Sequence, residues 1–565
     1  MLVAIAIWIE VIAMSRLSRS LLAVATIIMV AILSFAIAPG AARAADTGAI
    51  TVDGTVATRY DAYQLFLATV VDDDDAGQKI ATDVTWANGA VRQAVLPVLH
   101  DAGLDSSAST AQAAAEWMNA DGHMTTALTA KLARAICNVG ATSVALNADT
   151  AAELPCGYWL IVADDDAIAQ GEAGTAPIMA LVGGSAVTVK PKAATPKVAK
   201  HVLEDSTAAW GKAADATVGD DLYWRLSATV PAGLTAYDTY TVQFVDTMSA
   251  GLDPSKVAAS MRVYATAGTD GGFDAVPTGG GRRAGTEPAK GWTDITAQCR
   301  VSVEGSAFTV RTGDLIAALG GADAFTAGAR VVAVYNAPLN SACSHGIAKG
   351  NPNEVYLRYP RSPFADQSGD AGFTRTPSDD ACAYTWDLAL TKRGSDGDKP
   401  LAGAVLSIAD DRGRTLAADG TWDADSKATV TTGEDGRVTV SGVDSGKLEV
   451  RELKAPKGYT AFEGTRSVTV KAEGLDVDQV AAAKPKLTIT AESPLRADSA
   501  DGSTGSLEAS LINTPTGTPP SISTGGFMPS TGDMAMYAAA AAAVAGAALI
   551  VAALLVKREG GSHKE

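Results

Sequence analysis

Three polar residues with complementary chemistry lie where the alternation of apolar residues predicts core positions. In residues 386–392, 448–452 and 507–513, every second residue is apolar until the series reaches Lys392, Glu452 and Asn513. Because alternate residues of a β-strand share one face, each of these side chains is predicted to point into a β-core. Burying a polar group without a partner is costly, so the pattern indicates that the three groups meet in one site.

An amine, a carboxyl group and a carboxamide in one apolar site can form an amide bond between side chains. Apolar surroundings favour the neutral forms of Lys392 and Glu452. A protonated Glu452 would hydrogen bond to the Asn513 carboxamide and polarise its carbonyl, the neutral amine would attack, and ammonia would leave. Fixed geometry supplies the effective concentration that this otherwise very slow reaction needs. The simpler alternative is a sandwich with these groups at strand ends in water.

A second amine and acid have the same placement earlier in the chain. Lys200 lies on the apolar face of residues 198–202, and Asp246 lies on that of residues 240–246. Asp246 is therefore a second candidate for the catalytic acid, and Lys200 is a second candidate for the nucleophile.

Composition and spacing predict mainly β elements around these residues. The chain has 565 residues with 55 Gly, 23 Pro, 19% charged and 6% aromatic residues, and its many Thr and Val residues favour strands. Period-2 patterns separated by Gly-rich turns predict tandem immunoglobulin-like β-sandwiches. Helical spacing at 110–118 and 126–136, between predicted strands, indicates an α+β N-terminal domain.

We predict six segments. They are a signal peptide (1–44), an N-terminal domain (45–186), a linker (187–197), a middle β-sandwich (198–380), a C-terminal β-sandwich (381–516), and a stalk with a sorting motif, membrane span and basic tail (517–565). Basic residues, an apolar run and small residues near Ala44 give the first segment its signal-peptide layout. We place the translation start at Met14; an N-terminal membrane anchor is the alternative.

The last segment has three parts in a characteristic order. A pentapeptide precedes an apolar run at 537–556, which is long enough to span a bilayer, and a basic pair follows the run. This order resembles the cell-wall sorting signal of Gram-positive surface proteins, LPxTG. The resemblance implies cleavage between Thr531 and Gly532 and transfer of the Thr531 carbonyl from a sortase thioester to an amine. The other residues of the motif are Met528, Pro529 and Ser530.

Residues 452–459 resemble the E-box of Gram-positive pilins, ETxAPxGY, with Leu453 in place of Thr. Lys392 and Asn513 fall where that family places its isopeptide partners. Residues 240–252 and 334–359 resemble the middle domain of fimbrial backbone subunits, which implies sandwiches of the CNA type.

In that family an Asn at the end of the last strand of the middle domain bonds the Lys, and here Arg361 occupies its position. Arg has no carboxamide to attack. Asn353 lies eight residues earlier, roughly 26 Å along an extended strand. We therefore expect no cross-link from Lys200, and an Arg361–Asp246 ion pair in its place.

Residues 187–192 resemble the pilin motif VxVYPK, with Lys190 in place of Tyr. The resemblance implies that the Lys192 amine attacks the Thr531 acyl intermediate of the next subunit. Pro191 disfavours helix and keeps the segment extended. Lys190 and Lys197 are rival nucleophiles, and an ordinary basic linker is the simpler interpretation.

Five cysteines without metal-binding spacing suggest sparse disulfides in a secreted chain. Proximity favours two pairs and leaves Cys382 over. The pairs are Cys137 with Cys156, and Cys299 with Cys343.

Taken as a whole, the sequence resembles that of a major structural pilin, and this resemblance implies a role in adhesion. A net charge of −18 argues against nucleic-acid binding, and no motif for a cofactor, a metal or enzymatic turnover is present, so the only chemistry expected is isopeptide formation within the chain. The implied partners are identical subunits joined by a Lys192–Thr531 amide, pilin-type and housekeeping sortases, peptidoglycan and host surface ligands. The implied location is a fimbrium on the cell wall. The alternatives are a wall-anchored adhesin or pilus tip that does not polymerise, and a wall-attached enzyme with its site in residues 46–186.

Overall fold

The computed structural model describes residues 47–73, 77–192, 195–268, 273, 291–425 and 427–517. The predicted signal peptide, sorting motif and apolar run at 537–556 lie outside these ranges. Within them, no helix has the length and apolar character needed to cross a bilayer.

The N-terminal region combines two small sheets with three helices. Its strands are β1 (Thr47–Val52), β2 (Arg59–Asp73), β3 (Gln78–Trp86), β4 (Val144–Asn147), β5 (Ala152–Pro155), β6 (Gly157–Ala163), β7 (Ile178–Val182) and β8 (Val187–Val189). One sheet has the order β3-β2-β6-β7, with β4 beside β2, and the other has the order β5-β1-β8.

The helices of this region are α1 (Gly89–Asp101), α2 (Ala111–Asn119) and α3 (Thr126–Asn138). Each begins after a residue whose side chain accepts a hydrogen bond from a backbone N–H of the first turn: Asn88, Thr110 and Thr125. Such caps satisfy N–H groups that have no partner within the helix. Buried apolar residues of the helices share one core with β2, β3 and β6, so the prediction of an α+β region is confirmed.

The middle region is a sandwich of two sheets with two short helices, α4 (Val257–Ser260) and α5 (Leu315–Ala318). Its strands are β9 (Val198–Glu204), β10 (Ala209–Gly211), β11 (Ala213–Asp215), β12 (Tyr223–Thr229), β13 (Gln243–Met248), β14 (Arg262–Thr266), β15 (Thr293–Asp294), β16 (Arg300–Glu304), β17 (Ala307–Arg311), β18 (Arg330–Asn336), β19 (Asn351–Pro360), β20 (Phe373–Arg375) and β21 (Asp379–Tyr384). The sheets have the orders β10-β9-β12-β18-β14-β15 and β11-β21-β19-β13-β17-β16, and β20 pairs with β19. Alternate residues of both sheets form one aromatic-rich core, which includes Trp224, Phe244 and Phe308.

The C-terminal region is a second sandwich. Its strands are β22 (Trp386–Gly394), β23 (Val405–Ala409), β24 (Thr415–Leu416), β25 (Trp422–Asp423), β26 (Val430–Thr431), β27 (Arg437–Val443), β28 (Gly446–Lys454), β29 (Tyr459–Thr460), β30 (Thr465–Glu473), β31 (Lys486–Ala491), β32 (Leu495–Asp501) and β33 (Ser506–Pro515). One sheet has the order β27-β22-β33-β29 with β32 beside β33, and the other has the order β25-β24-β23-β28-β30-β31 with β26 beside β23. The first and last strands, β22 and β33, are parallel neighbours. The prediction of a mainly β chain with tandem sandwiches is confirmed.

Buried polar contacts join the successive regions. Between the middle and C-terminal regions, Asp215 Oδ2 accepts hydrogen bonds from Trp386 Nε1 at 2.6 Å and from the Ser445 N–H at 3.0 Å. Between the N-terminal and middle regions, Tyr359 Oη donates to the Gly171 carbonyl at 2.7 Å. These hydrogen bonds connect each region to the next at specific side chains.

The expected ion pair between Arg361 and Asp246 is wrong. Arg361 Nη1 donates to the Asp165 carbonyl of the N-terminal region at 3.1 Å. Arg361 follows the end of β19 and reaches out of the middle sandwich, whereas Asp246 is fully buried inside it. The arginine therefore serves the contact between two regions rather than the middle core.

The two expected disulfides are also wrong, because neither is present in the part of the chain that the structure describes. The pairs concerned are Cys137–Cys156 and Cys299–Cys343. Cys137, at the end of α3, donates its thiol to Tyr63 Oη at 3.7 Å. Cys343 Sγ lies 3.6 Å from His345 Nε2. Nearness in sequence thus does not bring the two sulfurs of a pair together, and Cys137 and Cys343 contact side chains other than a cysteine.

Candidate cross-linking sites

The C-terminal site takes its amine and carboxamide from one sheet and its acid from the other. Lys392 lies on β22 and Asn513 lies on the adjacent parallel strand β33, where Lys392 is level with Leu511. Glu452 lies on β28 in the facing sheet. The alternation that starts on apolar residues in each strand brings all three polar side chains to the same end of the core.

Glu452 contacts both the amine and the carboxamide of this site. Its Oε1 accepts a hydrogen bond from Asn513 Nδ2 at 2.9 Å and lies 3.6 Å from Lys392 Nζ. Its Oε2 accepts from the Phe462 N–H at 3.1 Å. Lys392 Nζ also donates to the Leu511 carbonyl at 3.2 Å. The side chains of Lys392 and Glu452 are both 0% exposed, so the contacts form away from water.

Burial changes the protonation behaviour of the amine in this site. Burial lowers the pKa of Lys392 from about 10.5 to about 8, although the Glu452 carboxylate opposes the shift. Asn513 Oδ1 is buried without a hydrogen-bond partner in the described structure. A half-turn of the carboxamide would bring Oδ1 to Glu452, where a protonated carboxyl could donate to it and polarise the carbonyl.

The middle site draws on four strands, and it includes two residues that the sequence did not predict. Lys200 on β9 and Tyr335 on β18 belong to one sheet, while Asp246 on β13 and Asn353 on β19 belong to the facing sheet. Antiparallel pairing sets Asp246 opposite Val355, so that Asn353, two residues away, points to the same side. All four side chains are fully buried.

A continuous hydrogen-bond network joins the four residues. Lys200 Nζ is ion-paired with Asp246 Oδ2. Tyr335 Oη accepts hydrogen bonds from Lys200 Nζ at 2.9 Å and from Asn353 Nδ2 at 2.8 Å. It donates to Asp246 Oδ2 at 3.1 Å. The amine and the carboxamide therefore both touch a single hydroxyl oxygen.

The expectation that Asn353 lies too far from Lys200 is wrong. The distance of roughly 26 Å is the length of β19 between Asn353 and Arg361. The expectation took the Arg361 end of this strand to be the end that meets Lys200. The antiparallel register with β13 instead brings the start of β19 to Asp246 and Lys200. The alternation that Asn353 shares with Val355, Leu357 and Tyr359 was the signal that could have identified it.

Burial also drives the charged pair of the middle site towards its neutral forms. Loss of hydration lowers the pKa of Lys200 to about 8 and raises the pKa of Asp246, while the attraction between the two groups opposes both shifts. The backbone of Lys200 is fixed as well, since its N–H donates to Asp379 at 2.6 Å and its carbonyl accepts from Lys212 Nζ at 2.8 Å. The amine is thus held in place and can lose its proton near neutral pH.

The predicted polymerising lysine follows the last strand of the N-terminal region. Lys192 is exposed just beyond β8, which pairs with β1, while the intervening Pro191 is buried. Lys190 and Lys197 are exposed too, so exposure does not distinguish the three amines. The predicted acyl donor, Thr531, and the rest of its motif lie outside the described residues.

The comparisons with known proteins agree with the resemblance seen in the sequence. Residues 387–484 match the family described as SpaA, prealbumin-like fold domain. The trypsin-resistant surface T6 protein of Streptococcus pyogenes serotype M6 is 30% identical over 143 residues, which are 24% of this chain and 24% of that protein.

Two solved pilin structures match this chain over most of their length. The T6 backbone pilin of S. pyogenes is 16% identical with a TM-score of 0.46, and the match covers 84% of this chain and 99% of that one. The major pilin SpaD of Corynebacterium diphtheriae is 14% identical with a TM-score of 0.41, and the match covers 83% and 98%. The family match thus places a prealbumin-like domain of the SpaA type at residues 387–484, within the C-terminal sandwich.

Proposed function

We propose that this chain is a major pilin, the shaft subunit of a fimbrium that a sortase polymerises covalently and that ends in the cell wall. The observation that carries the proposal is the pair of buried sites, each with a lysine amine, an acid and an asparagine carboxamide in one network. The SpaA-type domain and the T6 relative support it. We propose that the sites form Lys392–Asn513 and Lys200–Asn353 amides.

The proposed bonds suit a subunit that works under tension. Lys392 and Asn513 lie on the first and last strands of the C-terminal sandwich, which are parallel neighbours. A force that enters before β22 and leaves after β33 would shear these two strands past each other. An amide between them would carry that force directly, and the hydrogen bonds of the sheet would not need to resist it.

Assembly requires one exposed amine and one acyl donor per subunit. We propose that Lys192 attacks the Thr531 acyl group of the next subunit, that a pilin-type sortase catalyses this transfer, and that a housekeeping sortase joins the last subunit to peptidoglycan. The exposed position of Lys192 after a paired strand meets the demand for an accessible amine on an extended segment. The finished fimbrium would lie on the cell surface and support adhesion to host ligands.

A blot of cell-wall extracts tests the shaft role. The native chain should give a detergent-resistant ladder of high mass that Lys192→Ala abolishes, whereas Lys190→Ala and Lys197→Ala, as matched controls, should leave the ladder intact. A single band for all four proteins would contradict polymerisation and favour the adhesin alternative. A ladder lost only with one of the control variants would move the nucleophile to that lysine.

Intact mass tests the internal bonds separately. Each amide should lower the mass by about 17 Da, the mass of the ammonia that its formation releases. Two bonds should give twice that deficit, and tryptic digestion should yield branched peptides that join residues 392 to 513 and 200 to 353. A mass equal to that of the unmodified chain would overturn both cross-links.

A further inference from the structure

The two sites differ in how the acid reaches the carboxamide. Glu452 contacts both Lys392 and Asn513. Asp246 is shorter by one methylene group, and in the described structure it hydrogen bonds to Lys200 and Tyr335 without a hydrogen bond to Asn353. The Tyr335 hydroxyl fills the gap, because it contacts the amine, the acid and the carboxamide at once.

We propose that Tyr335 is a catalytic residue of the middle site and relays a proton from the attacking amine to the departing ammonia. The inference rests on the proposed Lys200–Asn353 cross-link, and it adds a hydroxyl that has no counterpart among the hydrogen bonds of Lys392, Glu452 and Asn513 in the described residues. Tyr459, which pairs with Pro515 beyond Asn513 on β33, donates its hydroxyl to the exposed Asp396 carboxylate at 2.9 Å.

The relay closes the proton balance of the reaction. The neutral Lys200 Nζ attacks Cγ of Asn353, a C–N bond forms, and the carbonyl electrons move to Oδ1, which takes the Asp246 proton. The nitrogen that attacked now carries an extra proton, which passes to Tyr335 Oη while the hydroxyl gives its own proton to Nδ2. The bond from Cγ to Nδ2 breaks, ammonia leaves, and Oδ1 returns its proton to Asp246. Tyr335 and Asp246 end as they began.

The contacts of the hydroxyl suit this exchange. Its oxygen accepts from Nζ of Lys200 and from Nδ2 of Asn353, which are the two nitrogens that must lose and gain a proton. Burial raises the pKa of Tyr335 well above its ordinary value, so the group stays a hydroxyl and keeps a proton to give. Asp246 Oδ1 and Asn353 Oδ1 are both buried without a hydrogen-bond partner in the described structure, which leaves them free for the transfer from acid to carbonyl oxygen.

The test follows bond formation over time by intact mass after cell-free synthesis. An Asn513→Ala background removes the C-terminal bond, so that a deficit of about 17 Da reports the middle bond alone. Tyr335→Phe should slow the appearance of this deficit by roughly 10²-fold or more, the usual contribution of proton transfer. Tyr240→Phe changes a buried tyrosine of the same core that is not among the described hydrogen-bond partners of Lys200, and it should form the bond at the parental rate. Equal rates for Tyr335→Phe and Tyr240→Phe would overturn the relay.

A second variant keeps the test decisive if Tyr335→Phe does not fold. Tyr335→3,5-difluorotyrosine retains the ring and the hydroxyl but makes the hydroxyl more acidic. The relay predicts that bond formation slows at alkaline pH, where the fluorinated hydroxyl ionises and loses the proton it must give. A pH profile identical to that of the tyrosine protein would overturn the relay. If the parent itself shows no deficit, the proposed cross-link fails; a deficit that forms equally fast in every variant removes only the role of Tyr335.

Discussion

The middle and C-terminal regions bring the same three functional groups together from different strands. In the C-terminal region, Lys392 and Asn513 share a sheet and the acid faces them from the other sheet. In the middle region, the acid and Asn353 share a sheet, and Lys200 comes from the opposite one. The two regions therefore share a buried cluster of an amine, an acid and a carboxamide. They do not share the order of strands that brings these groups together.

The difference changes what each bond would hold together. The C-terminal amide would join two neighbouring strands of one sheet, at the entrance and the exit of the region. The middle amide would join the two facing sheets across the core. The first arrangement resists sliding of strands, and the second resists separation of the two layers.

Loss of either carboxamide should have the largest effect. Asn513→Ala and Asn353→Ala each open a closed loop, of about 120 and about 150 residues, and each should lower the free energy of unfolding of its region by roughly 4–5 kcal/mol by the chain-entropy relation. The two losses should be nearly equal, because the entropy of loop closure depends only on the logarithm of loop length. Denaturant titration with intact mass measures both effects.

Asn138→Ala, at an exposed position of the N-terminal region, is the matched control and should change neither stability nor the mass deficit relative to the calculated mass of the variant. If Asn513→Ala were as stable as the native chain, the C-terminal amide would not form. A large loss in only one of the two variants would show that only one site is active.

Removal of the acid should have the second-largest effect, and it should slow bond formation at one site without slowing it at the other. Glu452→Gln keeps the shape of the side chain but cannot supply a carboxyl proton, so the C-terminal bond should form roughly 10² to 10⁴ times more slowly. The middle bond should form as before, which leaves a single deficit of about 17 Da. The converse should hold for Asp246→Asn. A full double deficit in Glu452→Gln, formed at the native rate, would refute the assignment of the acid.

A double variant can give the middle site the arrangement of the C-terminal site, in which the acid alone contacts both the amine and the carboxamide. In Asp246→Glu with Tyr335→Phe, the longer carboxyl should reach both the amine and the carboxamide, as Glu452 does. Bond formation in the middle region should then be faster than in Tyr335→Phe alone, measured as the rate at which the mass deficit appears. A double variant no faster than the single one would mean that side-chain length does not explain the difference between the sites.

Variants that cannot form a bond should show a smaller, pH-dependent effect. In Asn513→Ala the Lys392 amine stays titratable, with a folded pKa of about 8 against about 10.5 when exposed. Between these values the unfolded chain binds more protons than the folded chain, so stability should rise as the pH increases from about 8 to about 10.5. Chemical denaturation across this range measures the rise. The linked native chain, whose amine has become an amide, should lack it, and an equal rise in both proteins would contradict the bond.

Arg361→Ala should have the smallest effect. Because Arg361 contacts Asp165 of the N-terminal region, its loss should leave both mass deficits unchanged and cost about 1 kcal/mol at the contact between regions. Intact mass and thermal unfolding measure the two outcomes. A missing middle bond in this variant would mean that Arg361 takes part in the site after all.

The sequence could predict a site only where the prediction did not require the register between strands. The C-terminal trio could be predicted because each strand shows its face by alternation, so Lys392, Glu452 and Asn513 required only that three apolar faces meet. Asn353 required knowing which end of β19 meets Lys200, and pairing with β13 decides this. Tyr335 ends an almost wholly apolar series on β18, where a tyrosine is an ordinary core residue. The role that we propose for Tyr335 rests on its partners on three other strands.

The parallel pairing of β22 with β33 affects how the proposed fimbrium would withstand cleavage by proteases. With the C-terminal amide in place, residues 393–512 become a side loop of the covalent path, and a cut in any of their turns would leave the strand of subunits unbroken. The same holds for residues 201–352 in the middle region. The N-terminal region precedes Lys192 and so lies outside the proposed covalent path from Lys192 to Thr531, and a cut there would not sever that path. Damage that breaks the fibre should therefore concentrate in the short segments between the loops.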